Sequence, residues 1–99
     1  MTKVAELFSS EDRWTQGEGA RDMYGKAVPF DSHNACQWCL LSAIYLCYPF
    51  ERAQVIEERV KVKLFGKVIE ERRLGNCLSV WNDWKTFEDV QKLVTRMKI

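Results

Sequence analysis

Residues 31–48, DSHNACQWCLLSAIYLCY, form the most apolar stretch of this chain and contain three of its four cysteines. The pattern predicts a helix that begins near Ser32, with Asp31 or Ser32 as its N-cap, and ends before Pro49. At about 3.6 residues per turn, such a helix carries small side chains along one face: Cys36, Cys39, Ala43 and Cys47. We expect this helix to lie at the centre of the fold, because a face of small side chains allows close packing.

Length and composition predict one small domain over residues 1–99, since a chain of 99 residues has too little apolar surface for two cores. Apolar residues make up 46% of the chain and aromatic residues 12%, which excludes a disordered protein. The net charge is +1 and acidic residues are interleaved with basic ones, so we do not expect a nucleic-acid partner. There is neither a membrane-spanning apolar stretch nor a signal peptide. We therefore predict a cytoplasmic protein whose thiols are reduced.

Apolar periodicity predicts further helices on both sides of the central segment. Residues 4–8 form a short first helix, and another begins near Glu51, continues to about Phe65 and breaks at Gly66. The sequence of residues 60–68, VKVKLFGKV, also alternates as a strand would, so a small β-hairpin near residues 60–72 is the alternative.

The last helix is predicted from two signals. Thr86 precedes Asp89 by three residues, as in a capping box, and an apolar stripe follows: Phe87, Val90, Leu93, Val94 and Met97. Residues 76–84 are expected to be a connector in which Asn82 and Asp83 cap a turn. The whole chain is therefore predicted to be mainly α, a compact single domain of four to five short helices.

The cysteines and His33 are the candidates for catalysis or metal binding. Cys36 and Cys39 form a CxxC pair without the βαβ context of a redox site, and a zinc site would need the distant Cys77. On the predicted helix, His33 lies three residues before Cys36, where a base could activate the thiol. Packing of the cysteines as small apolar side chains is the favoured interpretation. We predict no metal and no cofactor.

Three separated stretches resemble one family of small bacterial and phage proteins with a domain of unknown function. Residues 14–25, WTQGEGARDMYG, are similar to its W-x-x-G-A-x-A-R-D-x-x-G pattern, and residues 35–43, ACQWCLLSA, to A-x-x-W-C-x-x-G-A. Trp81, Asn82 and Asp83 are similar to the W-N-D that precedes the family's last helix. Ser42 replaces a family glycine, and the loop after W-N-D lacks the family's proline and arginine. The resemblance implies a mostly helical fold and a microbial or phage origin, and it selects Cys39 as the motif cysteine.

These features favour a non-enzymatic binding protein, an accessory factor of a phage or mobile element that docks on a host protein in the bacterial cytoplasm. Trp84 is the expected anchor, because it belongs to no apolar stripe and exposed aromatic residues often dominate protein interfaces. The alternative is a binder of a nucleotide-like anion, or a thiol-dependent enzyme, with its pocket near Arg21, Cys39 and Asn82. The predicted binding residues come from the motifs and their flanks: Trp14, Arg21, Asp22, Trp38, Trp81, Asn82, Asp83 and Trp84.

Overall fold

The computed structural model describes residues 2–66 and 77–99. Within these ranges the chain forms five α-helices: α1 (Val4–Leu7), α2 (Leu40–Cys47), α3 (Phe50–Phe65), α4 (Cys77–Trp84) and α5 (Phe87–Met97). Between α1 and α2 lie a 3₁₀ turn (Glu11–Arg13) and two short antiparallel strands, β1 (Ala20–Arg21) and β2 (Gln37–Trp38). The predicted mainly α class is confirmed.

Residues 60–65, for which the sequence allowed either a helix or a strand, belong to helix α3. Gly66 ends the helix with φ +79°, a left-handed conformation that glycine adopts without a steric penalty, and its N–H donates to the Val62 carbonyl oxygen at 2.8 Å. The predicted helix to Phe65 and break at Gly66 are therefore confirmed. The remainder of the alternative hairpin, residues 67–72, lies outside the described residues.

The predicted start of the central helix near Ser32 is wrong, because α2 begins only at Leu40. The backbone N–H of Cys36 donates to the Arg21 carbonyl oxygen, and that of Cys39 to the Gly19 carbonyl oxygen, both at 2.9 Å. Pairing with the segment around β1 thus takes the hydrogen bonds that a helix would use. Cys39 becomes the N-cap of α2, with its Sγ accepting a hydrogen bond from the Ser42 N–H at 3.4 Å.

The expected connector before the last helix is also wrong, because residues 77–84 form α4. Leu78 and Asn82 are fully buried and Trp81 is half-buried, so these three residues share the inward face at helical spacing. An asparagine in the middle of that face interrupts the apolar pattern, which is why periodicity does not reveal the helix.

The core forms around α2, which packs against α1, α3 and α4. Each helix contributes apolar side chains that are buried, including Val4, Leu40, Ile44, Ile56, Val60, Leu78, Val90 and Val94. Of the predicted stripe of α5, Val90, Leu93 and Val94 are buried and Phe87 and Met97 are partly buried against the core. The predicted capping box is present between Thr86 and Asp89. No helix in the described ranges has the length and apolar character needed to cross a bilayer.

A polar contact joins α2 to α3 beside this core. The Tyr45 hydroxyl donates to Glu57 Oε1 at 2.6 Å, and Lys61 Nζ lies 2.9 Å from Glu57 Oε2. Burial, together with the hydrogen bond to the carboxylate and its negative charge, raises the pKa of Tyr45 to about 12. Glu57 therefore serves an interhelical contact.

Candidate functional site

The candidate site is a polar network centred on Asn82, whose side chain is fully buried near the end of α4. Its Oδ1 accepts hydrogen bonds from the indole Nε1 of Trp14 at 2.7 Å and from the Leu40 N–H at 3.0 Å. Its Nδ2 donates to the Thr15 carbonyl oxygen at 3.0 Å and to Asp83 Oδ1 at 3.4 Å. Because both ends of the amide are fully used inside the protein, Asn82 acts as a link between three chain segments.

Gln16 attaches the same segment to the end of α4. Its Nε2 lies 3.1 Å from the Asn82 and Asp83 carbonyl oxygens and 2.8 Å from the Lys85 carbonyl oxygen. The Gly17 N–H donates to Asp83 Oδ1 at 2.8 Å. The last carbonyl groups of a helix have no partner within the helix, so Gln16 acts as a side-chain cap for α4.

Arg21 uses its guanidinium group to hold the first motif together. Its Nε donates to Thr15 Oγ1 at 2.9 Å, its Nη1 to the Gly25 carbonyl oxygen at 2.9 Å and its Nη2 to the Gln16 carbonyl oxygen at 3.2 Å. Each of the three guanidinium nitrogens therefore has a partner within the protein. This arrangement favours a positioning role for Arg21 over the binding of an external anion.

The turn at residues 22–26 is closed by Asp22. Its Oδ1 accepts hydrogen bonds from the Tyr24 N–H at 2.9 Å and the Lys26 N–H at 3.0 Å, a typical use of a short carboxylate in a turn. Gly25 has φ +79°, which explains the glycine at this position. Met23 and Tyr24 point away from the fold, with exposed fractions of 78% and 85%.

The four tryptophans divide into two groups. Trp38 is buried, with its Nε1 donating to the Phe30 carbonyl oxygen at 2.9 Å, and Trp14 and Trp81 are half-buried against the core. Trp84 differs, because 82% of its surface is exposed. Among the predicted binding residues, Trp84 is thus the aromatic side chain that a partner can reach directly.

The cysteines do not share one helix face as predicted. Cys36 is half-buried and precedes β2, and His33 is exposed in a turn, so the helical spacing expected between them is absent. Cys39 is buried at the start of α2. Burial and the nearby Glu6 carboxylate raise the pKa of Cys47 to about 11, which makes its thiol a poor nucleophile at neutral pH. Within the described residues no group of three His, Cys, Asp or Glu side chains is placed to hold a metal.

Sequence reasoning missed a basic groove beside this network. Lys63, Lys85, Lys92 and Arg96 line an open cavity of about 340 Å³ together with Trp81. Residues 85, 89, 92 and 96 follow helical spacing, so a projection of the last helix would have shown three of these cations on one side. The net charge of +1 does not reveal them, because acidic residues elsewhere in the chain balance these cations.

No protein-family model, curated protein or solved structure matches this chain. The likeness to a family of unknown function therefore rests on the three short motifs alone. What the structure adds is that the first motif and the W-N-D motif are joined by direct hydrogen bonds, and that the second motif meets both. A functional proposal has to be based on this geometry.

Proposed function

We propose that this chain is a non-enzymatic protein-binding module. Its docking surface consists of Trp84, at the end of α4, and Met23 and Tyr24, in the turn at residues 22–26. The observation that carries the proposal is the 82% exposure of Trp84 at a position where the surrounding backbone is firmly held. Large aromatic side chains supply much of the binding energy at protein interfaces, and Trp is the most enriched among them.

The backbone around Trp84 is fixed by neighbours in sequence and in space. Gln16 bonds the carbonyl groups of Asp83 and Lys85, on either side of Trp84, and Asp83 itself accepts from the Gly17 N–H. A rigid backbone lowers the entropy lost when the indole enters a partner's pocket. Such preorganisation is what an interface anchor needs.

The turn that carries Met23 and Tyr24 is held by the same network. Arg21 bonds the Gly25 carbonyl oxygen at one end and the Gln16 carbonyl oxygen at the other, and Gln16 in turn reaches Lys85. Two hydrogen-bonded side chains therefore connect the two exposed parts of the docking surface. The polar network supports the docking surface. Most of its hydrogen-bonding groups contact the protein, so few are left to bind a ligand.

The alternative function, an anion-binding or thiol-dependent site near Arg21, Cys39 and Asn82, has less support from this geometry. The hydrogen-bonding groups of Arg21 and Asn82 are engaged by the protein, and Cys39 is a buried N-cap. The motif resemblance adds the context to the proposal: a phage or mobile-element factor in a bacterial or phage-infected cell, with a host protein as partner.

The test compares the parent chain with Trp84→Ala as affinity baits, and then measures the dissociation constant of the captured partner. Loss of an anchor costs about 2 kcal/mol or more, so we expect that constant to rise about 30-fold. Val55→Ala removes a different exposed apolar side chain, one in α3, and should bind as the parent does. Equal affinity of the parent and Trp84→Ala would show that the docking surface is wrongly placed.

A further inference from the structure

The groove between the end of α3 and the side of α5 concentrates positive charge. Lys63, Lys85, Lys92 and Arg96 line it, and Asp89 is the one carboxylate among the described residues of its lining. Hydrogen bonds from Thr86 lower the pKa of Asp89, which is therefore ionised at neutral pH and committed to the capping box. Four cations against one carboxylate form a strongly basic patch on a chain whose net charge is only +1.

An acidic neighbour outside the groove does not remove this charge. Lys92 Nζ lies 3.1 Å from Glu88 Oε1, but both side chains are mostly exposed. An exposed pair one helical turn apart is weak and screened by salt. Lys92 can therefore exchange Glu88 for a more highly charged anion.

The cations are arranged along a line. Lys92 and Arg96 are one turn apart in α5, and Lys85 precedes that helix by two residues. At about 1.5 Å per helical residue, the distance from the start of α5 to Arg96 is roughly 14 Å, and Lys85 lies before that start. A single phosphate group is too small to contact the whole row, whereas the backbone of a few linked nucleotides extends along it.

The remaining lining suits a base better than a sugar or a second phosphate. Trp81 and two leucines supply apolar surface next to the cations. Proteins that bind single strands combine a positively charged groove with aromatic side chains on which bases stack. A duplex is read by elements that protrude into its grooves, so a concave site does not suit it.

We propose that this groove binds single-stranded nucleic acid, with backbone phosphates at Lys85, Lys92 and Arg96 and one base against Trp81. The cavity of about 340 Å³ is at the small end of ligand sites, large enough for one base with its sugar. Met23, Tyr24 and Trp84 are not among the residues that line this groove. It adds a second activity to a protein-docking module, and it revises the expectation drawn from the overall charge.

Fluorescence anisotropy of a labelled oligodeoxythymidylate of about 12 nucleotides measures this binding. With three phosphate contacts we expect a slope of about −2 for the logarithm of the association constant against the logarithm of salt concentration, so affinity falls roughly 20-fold between 50 and 200 mM salt. Arg96→Gln and Lys85→Gln should each weaken binding and reduce the magnitude of the slope by about 0.7. Arg52→Gln, which removes an exposed cation of α3 outside the groove, should do neither.

Two further comparisons separate the single strand from other polyanions. A duplex of the same length should compete poorly, and Trp81→Phe should weaken oligonucleotide binding without changing the salt slope. The proposal is overturned if the oligonucleotide does not bind at 50 mM salt, if the duplex binds as tightly, or if Arg96→Gln matches Arg52→Gln. The two proposals are tested on different ligands, an oligonucleotide and a captured protein, so failure of either proposal leaves the other standing.

Discussion

At the scale of single residues, Asn82 shows how one polar side chain can organise a small fold. Its amide satisfies two buried groups, the Leu40 N–H at the start of α2 and the Thr15 carbonyl group, and the half-buried Trp14 indole. An apolar residue in its place would bury those groups without partners, and each such group costs about 1 to 3 kcal/mol. The polar residue is thus needed because of its neighbours.

We expect Asn82→Ala to lower the free energy of unfolding by about 3 to 4 kcal/mol, since two buried groups and the half-buried Trp14 indole lose their partner. Asn82→Asp keeps the shape, but its carboxylate cannot donate to the Thr15 carbonyl oxygen. Burial raises the pKa of the introduced carboxyl in the folded state, so this variant should lose most stability at neutral pH and recover part of it as the pH falls. Urea denaturation at pH 7 and pH 4 measures both effects.

Gln54→Ala is the matched control for Asn82, because it removes an exposed amide from a helix. Its unfolding free energy should stay within about 0.5 kcal/mol of the parent. If Asn82→Ala were as stable as this control, the network would not be holding the three segments together.

At the scale of elements, the helices that sequence predicts best are those specified by nearby residues. The capping box and apolar stripe of α5 are formed by residues of the helix and its N-cap. Helix α3 ends at a glycine, which is a common sequence signal for a helix end. The start of α2 is different, because strand pairing with Gly19 and Arg21 decides it. Likewise, α4 is concealed by the asparagine that the network requires.

The same contrast applies to the candidate site. The alternative pocket near Arg21, Cys39 and Asn82 required the three motifs to come together, and hydrogen bonds do join them. Sequence motifs do not reveal whether the side chains of Arg21 and Asn82 bind a ligand or contact other parts of the protein. Contacts between residues distant in sequence decide this, and no local pattern predicts them. The exposure of Trp84 was expected from its lack of an apolar stripe, and the structure shows it directly.

The capping box of α5 gives a prediction about acid stability. Hydrogen bonds from the Thr86 backbone and side chain hold the pKa of Asp89 below its ordinary value of 3.8. A carboxyl with a lowered folded-state pKa stabilises the protein above its unfolded value, and that contribution is lost as the pH falls through the folded-state pKa. Asp89→Asn should therefore be less stable at neutral pH and lose less stability than the parent on acidification below pH 3.8.

Thermal unfolding followed by circular dichroism between neutral and acidic pH measures this difference. Glu88→Gln removes a carboxylate from the same helical turn but leaves the capping box intact, and it should keep the parent's loss of stability in acid. Identical acid profiles for Asp89→Asn and Glu88→Gln would mean that the box contributes nothing specific.

At the scale of the whole molecule, the side chains that hold the fold are separate from those that we propose as the docking surface. The core and the Asn82 network use buried groups of every helix, whereas Trp84, Tyr24 and Met23 remain outside both. A protein of this size has little apolar surface to spare. The proposed docking surface therefore uses large exposed side chains that the core does not need.

Two tryptophan substitutions test that separation directly. Trp84→Ala should leave the free energy of unfolding within about 0.5 kcal/mol of the parent, because an exposed indole makes few contacts. Trp38→Ala should cost about 3 to 5 kcal/mol, since it empties a buried position and leaves the Phe30 carbonyl group without its donor. Urea denaturation of both variants gives the comparison. A loss of more than about 2 kcal/mol in Trp84→Ala would assign this side chain to the fold, and the docking surface would then lack its anchor.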